Sequence, residues 1–421
     1  MKGTFYKMRN ELIQKTEKIK FLGIPVGRRI YLPESIKTYL FGIKIQKKII
    51  PLNIVNRSKS AVIPDNTVKI AFKLKGGLGD ILIGGNYIYI WKKEMLYDIQ
   101  GKKLQIDIYA HRNKNLVSAL FPHTNNFIDN IYLDADVKDD TNKYDMFVVL
   151  NRYPDVRHKN MQKLYNLSPK LIDFVHACEK WRLDNLRVYN HKPVCDGQIN
   201  IVNEILGKKR IQQADIYNLY NISEKFSYQL DFTPDAIEFF NSLNLSEKKF
   251  ITIHRGVDDN QSANSTKLWP YEYYNNLIRY IKNTYPKLII VQIGINKDRC
   301  QTFEGVDIDL VGKTTIEDLK ILLSKAILHV DIEGGLVHLR HALNGGCSVV
   351  LFGPTSIETY GYSENINLRG QGCPFPCEWI INKWQENCAK ECQRMPCMIS
   401  LTPEFVFSKI SNKLKELACL I

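Results

Sequence analysis

The feature that most constrains the fold is an alternation, present in two blocks, of short apolar runs and turns that open onto helix-like segments. In the first block, Val68–Leu74 reads as a strand. The turn Lys75-Gly76-Gly77-Leu78-Gly79-Asp80 follows it, and Ile81–Met95 carries helical content. Strands near 104–109, 127–133 and 144–150 continue the pattern, with a helix near 113–121. The second block opens with a strand at 250–254. Helix 270–284, strand 288–293, helix 315–326 with Thr315 as its N-cap, strand 327–331, helix 335–343 and strand 348–352 come next. Residues 160–245 read as mixed and mostly helical, and 403–420 as a terminal helix. Strands alternating with helices imply parallel sheets with helices on their faces. The expected fold is α/β, with two Rossmann-like domains facing a cleft and a joint near 240–248. A ligand then sits at the carboxyl ends of the strands.

Five segments are expected: a basic extension at 1–64, an amino-terminal Rossmann-like domain at 65–245, a carboxy-terminal one at 246–370, a Cys-rich segment at 371–400 and a helix at 401–421. The formal charge of +14 is concentrated at the front. Residues 1–60 hold fourteen Lys or Arg against Glu11, Glu17 and Glu34, which leaves +3 for the other 361 residues. Such a front end meets nucleic acid, an anionic membrane surface or an acidic partner. Its aromatic and apolar residues, Phe5, Tyr6, Phe21, Tyr31 and Phe41 among them, argue that it folds or docks and is not a free tail. No apolar run approaches the roughly 18 residues of a transmembrane span. The first ten residues lack a secretory h-region, which points to the cytoplasm.

Each turn after a strand offers two readings. Gly76, Gly77 and Gly79 let the backbone approach a ligand, and Asp80 is placed either as a general base or as an ordinary helix cap. Spacing excludes the dinucleotide fingerprint. Val311-Gly312-Lys313-Thr314-Thr315 lacks the leading glycine of a phosphate loop, since Asp307 stands there, so an NTPase is rejected. Ser265-Thr266-Lys267-Leu268-Trp269-Pro270 joins hydroxyls, an ammonium and a helix start, which suits a diphosphate, or is a surface loop closed by Trp269-Pro270. Asp331-Ile332-Glu333-Gly334-Gly335-Leu336-Val337-His338 carries acids and a histidine on another such turn; a core His with a capping acid is its alternative.

Taken in order, Gly79-Asp80, Lys267-x-Trp269-Pro270, Gly312-x-Thr314, Glu333-Gly-Gly-Leu-Val-His338 and Leu351-Phe-Gly-Pro-Thr355 resemble glycosyltransferase family 9 over about residues 68–410. Those are the heptosyltransferases of bacterial lipopolysaccharide, with the GT-B fold. The resemblance implies an inverting transfer of a sugar, heptose first, from a nucleotide sugar such as ADP-heptose to a saccharide or glycolipid acceptor, with no cofactor for catalysis. It makes Asp80 the acceptor's base. Thr266 and Lys267 become the diphosphate ligands, Lys267 also offsetting leaving-group charge. Glu333, Gly334, Gly335 and His338 line the donor pocket, with Gly312 and the turn 352–355 nearby. The family's usual turn is Asp, Ser or Thr, then Gly before the His. Glu333-Gly334-Gly335 departs from it, which keeps another nucleotide sugar and a capsule, glycan or protein acceptor in play. The implied place of work is the inner face of a bacterial inner membrane, with residues 1–60 on the anionic surface. A sugar-binding relative without turnover is a further alternative.

Ten cysteines occur, five of them as Cys373-x3-Cys377-x10-Cys388-x3-Cys392-x4-Cys397. Paired thiols at this spacing favour a structural Zn or Fe site, with Cys397 competing for one of four positions, over free buried thiols and, third, disulfides. Cys178, Cys195, Cys300, Cys347 and Cys419 read as small buried hydrophobes. A basic, zinc-containing nucleic-acid-binding protein is the rival from another class. It is disfavoured because no basic recognition helix accompanies the thiols.

Overall fold

A computed structural model gives the fold. It describes residues 67–96, 102–111, 114–133, 141–150, 154–184, 225–256, 265–294, 301–378, 383–392 and 395–418, together with the backbone of four strands between 15 and 49. The chain divides into two compact units, Met1–Asp65 and Asn66–Ile421.

The first unit holds a four-stranded sheet in sequence order: β1 (Lys15–Phe21), β2 (Ile24–Leu32), β3 (Ser35–Leu40) and β4 (Ile43–Ile49). All neighbours are antiparallel, with Lys15 opposite Tyr31, Ile30 opposite Lys37 and Ser35 opposite Ile49. The sequence reading expected this region to fold or dock but assigned no strands to it. Stretches such as Lys18-Ile-Lys-Phe21 and Ile43-Lys-Ile-Gln46 alternate apolar and polar residues at the period of a strand. The density of lysine had hidden that alternation. Only two residues separate each strand from the next, the commonest hairpin spacing.

The second unit carries two sheets. The amino-terminal one has the order β7-β6-β5-β8-β9, from β5 (Thr67–Leu74), β6 (Lys103–Ala110), β7 (Asn130–Leu133), β8 (Met146–Leu150) and β9 (Pro154–Lys159). The first four are mutually parallel, and β9 closes the edge antiparallel to β8, an element the sequence reading did not resolve. Helix α1 (Leu78–Leu96) follows β5 and buries Tyr87, Ile88 and Trp91 completely. Trp91 packs edge-on between Phe72 and Phe174, the latter from α2 (Pro169–Asp184). The expected helical character of 185–224 lies outside the described residues, as do Cys195, Cys300 and Cys419.

The carboxy-terminal sheet is wholly parallel, in the order β12-β11-β10-β13-β14-β15. Its strands are β10 (Phe250–His254), β11 (Ile289–Ile293), β12 (Ile308–Asp309), β13 (Leu328–Ile332), β14 (Ser348–Phe352) and β15 (Ile366–Arg369). Every residue of β13 and β14 is buried, as a sheet covered on both faces requires. Helices α3 (Pro234–Ser242), α4 (Tyr271–Thr284), α5 (Ile316–Lys325), α6 (Gly335–Ala342) and α7 (Pro403–Ala418) complete the half. Thr315 begins α5 in a full capping box with Asp318. At its other end the fully buried Arg340 guanidinium donates to the Leu323 and Ala326 carbonyls, a cation on the negative end of the helix dipole. One buried cluster runs through both halves, with Ile81, Tyr87 and Phe121 from one and Leu319, Leu339 and Ala342 from the other. No helix among the described residues is long and apolar enough to cross a membrane.

Candidate functional site

The two halves meet where the amino-terminal ends of α1 and α6 abut, and glycine makes the approach feasible. A Cβ on Gly79 would lie 2.3 Å from His338 Cδ2, and one on Gly335 would lie 3.0 Å from Leu78 Cβ. Gly76 is held at φ +105°, and a Cβ there would strike the Asp80 carboxylate. Asp80 Oδ2 in turn accepts the Gly77 N–H at 2.9 Å. This is half of a capping box, with the acid in the first turn reaching back to the residue before the helix. The two readings of Asp80 are therefore compatible. Its carboxylate caps α1, and its charge also reaches Lys267 in the opposite half.

Lys267 lies in the loop between β10 and α4. Its ammonium donates to Glu333 Oε2 at 2.5 Å and to the Glu333 carbonyl at 3.3 Å. Glu333 is 6% exposed, and His338 Nε2 stands 3.6 Å from its other oxygen. The Tyr362 hydroxyl shares a 2.7 Å hydrogen bond with His338 Nδ1 and so fixes the ring. Burial by itself would lower the Lys267 ammonium. The charges of Glu333 and Glu378, the Glu333 hydrogen bond and Asp80 outweigh it and hold the ammonium above its ordinary range. Burial would likewise raise the Glu333 carboxyl, but Lys267 and His338 pull it down to about 2. The pair is thus fully ionised at neutral pH.

Asp80, Lys267, Glu333 and His338 are brought together as the sequence suggested. Gly334 is the extended residue before α6, and a Cβ there would meet nothing closer than 3.8 Å. Thr266 is nearly fully buried, with its hydroxyl donating to the Trp384 carbonyl at 2.9 Å. Gly312, at φ +69°, donates its N–H to the Gly294 carbonyl at 2.7 Å in the turn before α5. The turn 353–355 is tied down by Arg369, which donates to the Gly353 and Thr355 carbonyls.

Sequence reasoning missed a second layer. Tyr362 and Tyr360 come from the connection between β14 and β15. The Tyr360 hydroxyl donates to Glu378 Oε1 at 3.0 Å, and the Trp384 ring centroid stands 5.8 Å from Lys267 Nζ. No local pattern announces these residues, because each acts through the fold. Beneath them, His254 Nδ1 and Asp331 Oδ1 are 2.8 Å apart, and His329 Nε2 is 3.4 Å from the same acid. Burial would raise the Asp331 carboxyl, but the two histidines hold it below its ordinary range. Burial also depresses the His329 imidazole.

The expected Zn or Fe site is not shown. Among the described residues, no group of three or more His, Cys, Asp or Glu is disposed to hold a metal ion. The five cysteines have the right donor chemistry, and their thiols lie near enough to interact: Cys377 with Cys373 and Cys388, Cys392 with Cys388, and Cys397 with Cys373 and Cys377. Cys373 and Cys397 belong to the apolar core of the carboxy-terminal half, Cys377 and Cys388 are half-buried, and Cys392 is exposed. Burial, reinforced by neighbouring thiols, raises Cys377 and lifts Cys397 to about 11.

Residues 208–388 match the model of glycosyltransferase family 9 (heptosyltransferase). Among solved structures, the chain is similar to the Escherichia coli ADP-heptose lipopolysaccharide heptosyltransferase II, at 16% identity and TM-score 0.50, covering 83% of this chain and 99% of that one. A family 9 glycosyltransferase from Veillonella parvula aligns at 16% identity and TM-score 0.54, covering 85% and 100%. The dodecameric iron-containing heptosyltransferase TibC, solved with ADP-D-β-D-heptose, aligns at 12% identity and TM-score 0.51, covering 92% and 84%. No curated protein matches by sequence. The aligned structures share the two-sheet fold, and the family match covers the Lys267 loop, the Glu333 turn and His338. The chain has the two-domain GT-B fold of the solved heptosyltransferases, and its residues 208–388 are similar to glycosyltransferase family 9.

Proposed function

We propose that the protein transfers a heptose from a nucleotide sugar, ADP-heptose first, to a lipopolysaccharide-type saccharide, with inversion in a single displacement. The observation that carries this reading is the convergence of Asp80, from one half, on the Lys267, Glu333 and His338 cluster of the other. Inversion needs one base on the acceptor face and one cation at the departing diphosphate. Asp80 takes the acceptor hydroxyl's proton. The Lys267 ammonium, now held by Glu333, turns toward the diphosphate and offsets the charge that develops there. Glu333 and His338, fixed by Tyr362, face the donor. The relatives solved as ADP-heptose enzymes support heptose as the first donor to try. The Glu333-Gly334-Gly335 turn keeps a different nucleotide sugar and a capsule, glycan or protein acceptor as the second reading.

We also place the reaction at the cytoplasmic face of an inner membrane, with residues 1–60 meeting anionic lipid through their excess of eleven positive charges. Vesicle flotation tests this. Deleting residues 1–60 should abolish binding to anionic vesicles, and unchanged binding refutes it. For the transfer reaction, a panel of ADP-, UDP-, GDP- and CDP-sugars is tested by thermal unfolding. A donor at 100 times its Kd adds about 2.7 kcal/mol of stability. ADP-heptose should give the largest rise in Tm. A rise with none of the four classes refutes the donor site, and a rise only with another class selects the second reading.

A further inference from the structure

The Cys-rich segment is fastened directly to the loop that carries Lys267. The Thr266 N–H donates to the Gln385 carbonyl at 2.8 Å, and its hydroxyl donates to the Trp384 carbonyl at 2.9 Å. The Trp384 side chain, 3% exposed, is thereby set with its ring centroid 5.8 Å from Lys267 Nζ. A few residues earlier, the Cys377 and Glu378 N–H groups both donate to the Pro354 carbonyl, at 2.8 and 3.0 Å. Glu378 is itself buried and bonded to Tyr360. One strap therefore touches the Lys267 loop and the turn after β14 together, and its backbone fixes where the Trp384 ring lies.

Among the described residues, the ring offers something no other neighbour of Lys267 does. Glu333 holds the ammonium through its N–H donors, and a diphosphate would compete for those same donors. An aromatic face attracts the ammonium through its quadrupole and takes no donor away. It can hold the cation while the hydrogen bonds change partner. We propose that Trp384 is a positioning residue of the donor site, whose ring keeps the Lys267 ammonium in place as its hydrogen bonds pass from Glu333 to a nucleoside diphosphate. The Cys-rich strap is then a wall of that site and not a separate module. This inference rests on the reading of the Lys267 loop as the donor site.

The test uses the full-length chain with fluorinated tryptophans placed at position 384, which drain the ring's quadrupole with little change in its shape. Calorimetry with ADP, UDP, GDP and CDP gives the affinities. For the nucleotide that the unmodified protein binds, affinity should fall stepwise with fluorine number, to about fivefold weaker at full substitution. The donor KM should rise more than kcat falls. Trp384→Phe should retain most of the affinity and Trp384→Leu should lose it. Where the leucine variant does not fold, the fluorination series carries the test alone. Affinity independent of fluorine number overturns the role of Trp384 and leaves the donor site standing. If the unmodified protein binds none of the four nucleotides, the donor site and this inference both fall.

Discussion

Replacing Lys267 by Met tests the electrostatic core of the site. The change keeps an unbranched stem and removes the ammonium with its charge and hydrogen-bond donors. It leaves the Glu333 carboxylate, 6% exposed, without the ammonium that donates to it at 2.5 Å. His338 Nε2, at 3.6 Å, is the nearest remaining titratable group. Removing one partner of a buried pair costs about 3–5 kcal/mol, because the survivor stays desolvated and unpaired. For a unit the size of Asn66–Ile421 that corresponds to a fall in Tm of roughly 4–7 °C. The pH dependence gives the reasoning its sign. In the native protein Glu333 is depressed to about 2, so its stabilisation is present above the ordinary carboxylate pKa and lost as pH falls toward 2. In the variant, burial without a cation raises the carboxyl above its unfolded value. The deficit is then complete at high pH and shrinks as acid protonates Glu333. Differential scanning fluorimetry at pH 8 and pH 5 measures both effects. The gap between native and variant Tm should be largest at pH 8, and Lys267→Met combined with Glu333→Gln should recover most of it. A gap below about 2 °C, or one of equal size at both pH values, refutes the account of Glu333 as a carboxylate held ionised by Lys267.

Two further substitutions probe the junction between the halves. Asp80→Asn keeps an oxygen for the Gly77 N–H but removes the base, so turnover should fall by about 10²–10⁴ while Tm and nucleotide affinity change little; retained turnover excludes Asp80 as the base. Gly79→Ala drives a methyl to 2.3 Å from His338 Cδ2 and should cost about 1–3 kcal/mol, with a loss of activity. Gly77→Ala, where a Cβ meets nothing within 4 Å, is the matched control, and equal effects of the two substitutions in an unfolding titration would contradict the close approach of α1 and α6.

Much of the catalytic body was legible in the sequence because its signals are local. The strands at 250–254 and 348–352, the helix begun by Thr315 and the glycine turn before α1 follow from periodicity and turn chemistry over a few residues. Asp80, Lys267, Glu333 and His338 stand on turns after strands, where an α/β sheet places its ligands. The first sheet was missed because alternating apolar residues were read through their lysines, and β9 because an antiparallel edge strand has no helix to announce it.

The sequence by itself determined the two α/β blocks, the turns that bear charge and the unequal division of charge between residues 1–60 and the rest. Only the tertiary structure decided what those charges do. It placed Lys267 against Glu333 across 66 positions of chain, and it set Trp384 and Glu378 from the Cys-rich segment around the same ammonium. It also divided the five cysteines between core and surface while keeping their thiols near enough to interact. The physical reason is common to all three. Periodicity and capping act over a few residues, whereas Coulomb attraction, desolvation and ligand geometry depend on distances that only the packed chain fixes.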